Sequence, residues 1–121
     1  MLRILVVDDI YTNRYLLSEL IKLTGHEAIS AENGEEAIEI VKAEKPDLII
    51  MDIMMPGGMD GLEATRILKN DPQTKDSKII ILTAKGQQAD REKGFEAGAD
   101  DYFIKPFSPL ELIKKVEEVI G

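Results

Sequence analysis

Cysteine is absent from all 121 residues, which excludes a disulfide framework, a thiolate metal site and a cysteine nucleophile. Histidine occurs once, at His26, in a segment that reads as an edge strand, where a structural role is expected. No apolar run approaches the roughly 20 residues that a membrane-spanning helix needs. Positive charge is in deficit: 15 Lys and Arg stand against 23 Asp and Glu, a net charge of −8. Such a field repels nucleic acid and anionic membrane, and no basic cluster reverses it locally. Direct binding to nucleic acid or membrane is therefore not expected. The Gly-x-x-x-x-Gly-Lys-Ser/Thr phosphate loop is also missing, which excludes a P-loop nucleotidase. Met1 leads straight into the apolar stretch 2–7, which is too short for a signal peptide and ends in two acids. With the lack of cysteine, this fits a cytoplasmic protein.

What is present is strict alternation. A chain of this length is expected to form one domain, residues 1–121, around a single core. Five strand candidates, residues 3–7, 27–31, 47–51, 78–82 and 101–104, alternate with five helical patterns. The first, third and fourth are continuous apolar runs (Ile4-Leu5-Val6-Val7, Leu48-Ile49-Ile50-Met51, Ile79-Ile80-Ile81-Leu82), the mark of parallel strands covered on both faces. The second and fifth are shorter and more mixed, as sheet edges are. Asn33 with Glu36 reads as a capping box opening a helix over 34–43, closed by Lys45-Pro46, and Ser108-Pro109 with Glu111 opens the last helix. Asp71-Pro72 ends the third helix and Gly98 caps the fourth. Leu112, Val116, Val119 and Ile120 line one side of the last helix, and Leu16, Leu20 and Leu23 are expected to do so in the first. The fourth helix, over 87–97, has only Ala89, Phe95 and Ala97 as apolar residues. Its interior Gly94 costs about 1 kcal/mol against Ala. The alternation predicts an α/β three-layer sandwich with right-handed crossovers and the flavodoxin-like (βα)5 strand order 2-1-3-4-5.

Ligands in such folds sit beyond the carboxyl ends of the strands. Asp8-Asp9 end the first strand, Asp52 the third, Thr83 the fourth and Lys105-Pro106 the fifth. Each has an ordinary explanation alone: Asp9 as a helix cap, Asp52 as a loop acid, Thr83 as a turn former, Lys105 as a surface lysine. Together they bring three carboxylates into one crevice, where mutual repulsion raises a pKa unless a cation compensates. With no His or Cys nearby the donors are oxygens, which suits Mg²⁺. Asp8 and Asp9 would hold the metal with Asp52 and a backbone carbonyl from the following loop, for which Met54 is the candidate. Lys105 adds a positive point charge and Thr83 a hydroxyl. That set can neutralise a phosphoryl group while Asp52 attacks it as the nucleophile. A flavodoxin-like binder would need a Ser/Thr/Gly-rich loop where Asp8-Asp9-Ile10-Tyr11 stand. A haloacid-dehalogenase-like phosphatase would need a second Asp where Met54 stands.

The runs Ile4-Leu5-Val6-Val7-Asp8-Asp9, Asp52-Ile53-Met54-Met55-Pro56, Ile81-Leu82-Thr83-Ala84 and Lys105-Pro106-Phe107 resemble the receiver domains of CheY-like response regulators in two-component signalling. The resemblance covers essentially the whole chain. It implies a phosphoacceptor in a histidine-to-aspartate phosphorelay that catalyses only its own phosphorylation and dephosphorylation. A histidine kinase or histidine phosphotransfer protein would be the phosphodonor, and a downstream effector protein or output domain the receiver of the signal. It also implies a cis Lys105-Pro106 peptide. Tyr102 matches the switch aromatic that moves inward when Thr83 engages the phosphoryl group, so that the face of the fourth helix, fifth strand and fifth helix changes. Ile10, Tyr11, Arg14 and Phe107 are the candidates for docking the phosphodonor. Met54 and Lys85 occupy the positions that tune hydrolysis, and neither orients a water as an acid or amide does, which implies slow loss of the phosphoryl group. One feature departs from the family: Gly57-Gly58-Met59 separate Pro56 from Asp60-Gly61, one residue more than the usual Asp-x-x-Met-Pro-x-x-Asp-Gly. The extra glycine falls after Met54, so the metal register is expected to survive while the loop geometry changes. On the same fold, a protein-interaction module working without phosphate is the alternative.

Overall fold

Three strands of this protein carry unbroken four-residue apolar runs, and only a sheet covered on both sides can bury them. In the computed structural model, which describes residues 1–55, 58–84 and 88–120, that sheet is parallel and five-stranded. It contains β1 (Arg3–Val7), β2 (Glu27–Ala31), β3 (Leu48–Asp52), β4 (Lys78–Ala84) and β5 (Asp101–Lys105), in the order β2-β1-β3-β4-β5. The order expected from the sequence is the one observed. The helices α1 (Tyr11–Leu23), α2 (Gly34–Glu44), α3 (Gly61–Asn70), α4 (Gln88–Ala97) and α5 (Pro109–Ile120) alternate with the strands.

The period of two divides each central strand between two cores. Ile4, Val6, Leu48, Ile50, Ile80 and Leu82 pack with Leu17, Ile21, Leu112 and Val116 of α1 and α5. Leu5, Val7, Ile49, Met51, Ile79 and Ile81 pack on the other face with Ala37, Val41, Ala64 and Leu68 of α2 and α3. Among the described residues the two cores lie on opposite faces of the sheet, so its strands are covered from both sides.

Three expected strands shift their bounds. β3 begins at Leu48 and includes Asp52, β4 runs on through Thr83 to Ala84, and β5 includes Lys105. The cause is continued pairing: Asp52 is in register with Leu82, Thr83 with Ile104 and Ala84 with Lys105. These polar residues belong to the ladder itself, not to loops beyond it. The helix signals hold: Asn33 accepts from the Glu36 N–H at 2.8 Å, Ser108 Oγ from the Glu111 N–H at 3.2 Å, and Lys45 closes α2 with φ 46°. α3 stops at Asn70 before Asp71, and Gly98 follows α4 with φ 106°.

The stripe expected on α1 is corrected. Leu16 and Leu23 are 61% and 84% exposed, while Leu17 and Ile21 are buried with Leu20 beside them. The run Leu16-Leu17 offers two apolar phases, and the 3.6-residue period selects the one that points Leu17, Leu20 and Ile21 at the sheet.

Gly94 of α4 has a packing reason. A Cβ there would overlap Ile81 Cδ1 and lie 3.3 Å from Ile81 Cγ1, so the glycine lets α4 close onto β4. Gly94→Ala improves helix propensity by about 1 kcal/mol, but overpacking a core of this density costs about 1–3 kcal/mol. Net destabilisation of about 1 kcal/mol is expected in urea unfolding. Ile81→Val removes the obstructing methyl, so the double variant is expected to lose less than the sum of the singles; strict additivity would contradict this account.

Candidate functional site

Strand ends at β1, β3, β4 and β5 bring Asp8, Asp9, Asp52, Thr83 and Lys105 to one edge of the sheet. Asp8 directly follows β1 and is fully buried; its N–H donates to the Ala31 carbonyl at 3.2 Å, which extends the β1–β2 pairing by one residue. Asp8 Oδ1 accepts the Ile10 N–H at 2.9 Å and so shapes the turn into α1. Its other oxygen, Oδ2, is buried and has no hydrogen-bond partner among the described residues. Lys105 Nζ lies 3.8 Å from it, close enough for attraction but too far for a hydrogen bond.

Asp52 is 3% exposed. One oxygen accepts the Met54 N–H at 3.2 Å and the other faces Lys105 Nζ at 3.1 Å. Thr83, also 3% exposed, stands one pair before Lys105 along the β4–β5 ladder. Asp9 is exposed, and one carboxylate oxygen from each of Asp8, Asp9 and Asp52 falls within 4.8 Å of the others. The helix-cap explanation of Asp9 fails, since Ile10 occupies the N-cap of α1 and no side chain caps it.

Burial pushes the Asp52 carboxyl above the ordinary carboxylate range, Lys105 opposes that rise by charge and hydrogen bond, and the negative charge of Asp8 adds to it. A site that buries two carboxylates against one lysine, and leaves an acceptor oxygen without a donor, has the donor chemistry for a hard divalent cation. The three acids fit such an ion. Behind them, Gly61 packs so closely on the Asp52 backbone that a Cβ would overlap the Asp52 carbonyl, and the Gly61 N–H donates to the Ile53 carbonyl at 3.3 Å.

Residues 4–117 match the response regulator receiver domain family. The chain belongs to that family. It is 41% identical to the protein PilH of Pseudomonas aeruginosa over 121 residues, covering 100% of this chain and 99% of that one. It is 44% identical to the phosphate regulon transcriptional regulatory protein PhoB of the same organism over 117 residues, 97% of this chain but 51% of the relative. The receiver thus spans about half the length of several curated relatives it matches. A putative response regulator from Chloroflexus aurantiacus superposes with a TM-score of 0.93 at 37% identity, covering 98% of this chain and 97% of the other.

Around the receiver's acidic cluster, two expectations change. Arg14 is not a free docking residue: its guanidinium donates to the Asp8 carbonyl at 2.8 Å and lies 3.5 Å from Glu32. It braces the strand end that carries the buried acid, a role with no signal in the sequence because it depends on how α1 turns back over β1. Phe107 packs against Phe103 with ring centres 4.8 Å apart and adjoins the α1–α5 core. Ile10, Tyr11 and Tyr15 are exposed, the two tyrosines stacked at 6.3 Å. The Lys105-Pro106 peptide is cis. His26 Nδ1 accepts the Leu2 N–H at 3.0 Å, a structural contact remote from the cluster. Pro56, Gly57 and Lys85 lie outside the described residues.

The raised Asp52 pKa fixes the sign of a pH effect. Between the ordinary and the raised value the folded protein holds a proton that the unfolded chain has lost, so this residue lowers stability as pH rises through that window. In chelator, Asp52→Asn is expected to stabilise the fold at neutral pH. Urea unfolding should show that gain shrinking as pH falls through the window between the raised and the ordinary value, and gone below it. A gain that persists in acid would contradict the assignment.

Proposed function

We propose that this receiver accepts a phosphoryl group on Asp52 in a Mg²⁺-dependent step, within a histidine-to-aspartate phosphorelay. The observation that carries the reading is the buried Asp52 carboxylate, 3.1 Å from Lys105 Nζ, beside the partnerless Asp8 oxygen. Asp8, Asp9 and Asp52, with the Met54 carbonyl, would hold the metal. When bound, it would neutralise carboxylate and phosphoryl charge and align the group being transferred.

The chain's own residues do the rest. An Asp52 carboxylate oxygen attacks phosphorus, a new O–P bond forms, and the P–N bond to the donor imidazole breaks with its electron pair going to the leaving nitrogen. Lys105 supplies positive charge to the phosphoryl oxygens and Thr83 a hydroxyl donor, while burial of Asp52 restricts water. The donor is a phosphohistidine on a kinase or phosphotransfer protein. It would approach over Ile10 and Tyr11, which stand exposed at the start of α1. This is a phosphoacceptor, not an enzyme acting on other substrates, and the reading places it in the cytoplasm with a protein effector or output domain.

The output runs along one face of the sheet. Ile81 pairs with Tyr102 and Thr83 with Ile104, so Thr83, Ile81 and Tyr102 all point toward α4. Tyr102 is half-buried; Arg91 of α4 donates to its hydroxyl at 3.0 Å and stacks over its ring at 4.7 Å, and Phe95 meets it edge-on. A Thr83 hydroxyl drawn to the phosphoryl group would open space that Tyr102 can enter, at the expense of its Arg91 contacts. Amide exchange is expected to quicken in α4 and change in β5 on phosphorylation. Identical exchange in both states would remove this route.

Intact mass after incubation with acetyl phosphate tests the central claim. One phosphoryl adduct is expected with Mg²⁺, none with chelator and none in Asp52→Ala, and the adduct should decay slowly once donor is removed. A wild-type protein that binds Mg²⁺ yet takes no adduct would favour an interaction module working without phosphate.

A further inference from the structure

The longer loop after Asp52 has an anchor outside the acidic cluster. Both its ends are fixed: Met54 N–H on Asp52 at one end, and the Gly61 N–H on Ile53 at the other, where Asp60 also caps α3 through the Glu63 N–H at 2.8 Å. Its described residues Gly58 and Met59 meet the first turn of α2. There the Met59 N–H donates to Glu35 Oε1 at 3.0 Å. A Cβ on Gly34 would lie 3.0 Å from both Cγ and the carbonyl oxygen of Met59, so that glycine admits the loop backbone. A Cβ on Gly58 would lie 3.4 Å from the same Glu35 oxygen. The Met59 side chain adjoins the core beneath α2 and α3. Backbone, side chain and carboxylate thus seat one segment on α2.

We propose that Glu35 is a positioning residue for the phosphoacceptor loop: its carboxylate holds the glycine-lengthened segment on α2 and so keeps Asp52 and the Met54 carbonyl in register. The inference rests on the phosphoacceptor reading above. It follows from chain mechanics. A loop with an extra glycine has more conformations to lose, and one charge-assisted hydrogen bond at its far side selects among them. Without that bond the segment between Met54 and Asp60 is free to swing, and the carbonyl it carries near the acids swings with it.

Two readouts test this. In metal-free protein, exchange of the Met59 amide should accelerate about fivefold in Glu35→Ala and stay near wild type in Glu35→Gln, which keeps an acceptor oxygen. The initial rate of phosphorylation by acetyl phosphate with Mg²⁺ should fall about fivefold in Glu35→Ala, again rescued by Gln. Glu36→Ala removes a neighbouring acid from the same helix turn and should match wild type in both, as the backbone N–H that meets Asn33 is retained. Deleting Gly58 removes the slack, so adding Glu35→Ala to that deletion should alter the rate less than about twofold. A wild-type rate in Glu35→Ala, with wild-type protein readily phosphorylated, overturns the positioning role alone. A fivefold loss that persists in the deletion background overturns it too, by tracing the effect to the helix. No adduct on wild-type protein overturns this inference together with the phosphoacceptor reading.

Discussion

A buried carboxylate oxygen without a hydrogen-bond partner among the described residues is the constraint around which the carboxyl edge of this sheet is organised. Asp8 spends one oxygen on the turn into α1 and leaves Oδ2 facing Asp52 and Lys105. Two buried acids share one lysine, and that lysine is partly exposed at an edge strand. The arrangement is incomplete as an ion pair, because burying a charge without full compensation is unfavourable by several kcal/mol, on the order of a whole domain's margin of stability. Such an uncompensated charge marks a candidate ligand site, at the carboxyl end of the sheet.

The opposite end shows what a completed ion pair looks like, between the partly buried Lys69 and the more exposed Asp100. Lys69 meets Asp100 at 2.8 Å and donates to the Ser77 carbonyl at 2.8 Å, while Asp100 accepts the Ile79 N–H at 2.8 Å. Each of those charges is matched by partners on two other segments. The same chain therefore satisfies its charges at the amino ends of the strands and withholds satisfaction at the carboxyl ends. Stability and function are divided along the strand axis, with the two apolar cores holding the ends apart.

Most of this was legible in the sequence because the strongest local signals agree with the fold. Three all-apolar runs specify a covered parallel sheet, and punctuation at Asn33, Lys45, Ser108 and Gly98 ends or opens the helices where the chain does. The acidic cluster was legible because strand ends can be located to within a residue or two, and carboxylates there have few other uses. What stayed hidden depends on rotation and approach. The phase of α1 was misread because Leu16 and Leu17 are equally apolar and only packing against the sheet chooses between them. Arg14 and Phe107 looked free because their partners, the Asp8 carbonyl and the Phe103 ring, are set by how a helix or loop turns back over the sheet. Gly94 looked like a weakness of α4, whereas its lack of a Cβ is what brings the helix onto Ile81.

That last contact bears on how a change at the acids would travel. α4 is polar over most of its surface and touches the sheet where Gly94 meets Ile81 and where Arg91 and Phe95 meet Tyr102. Ile81 lies two residues before Thr83 and in register with Tyr102, so the helix rests on the pair that precedes Thr83 on its own face. A core residue such as Ile49 is packed against several elements and moves only with all of them. α4 turns only Gly94 and Ala97 fully inward, and part of its hold on the sheet is the partly buried hydrogen bond from Arg91 to Tyr102, so its position is easier to shift. The element least secured by apolar burial is thus the one seated nearest the hydroxyl that a phosphoryl group would draw in.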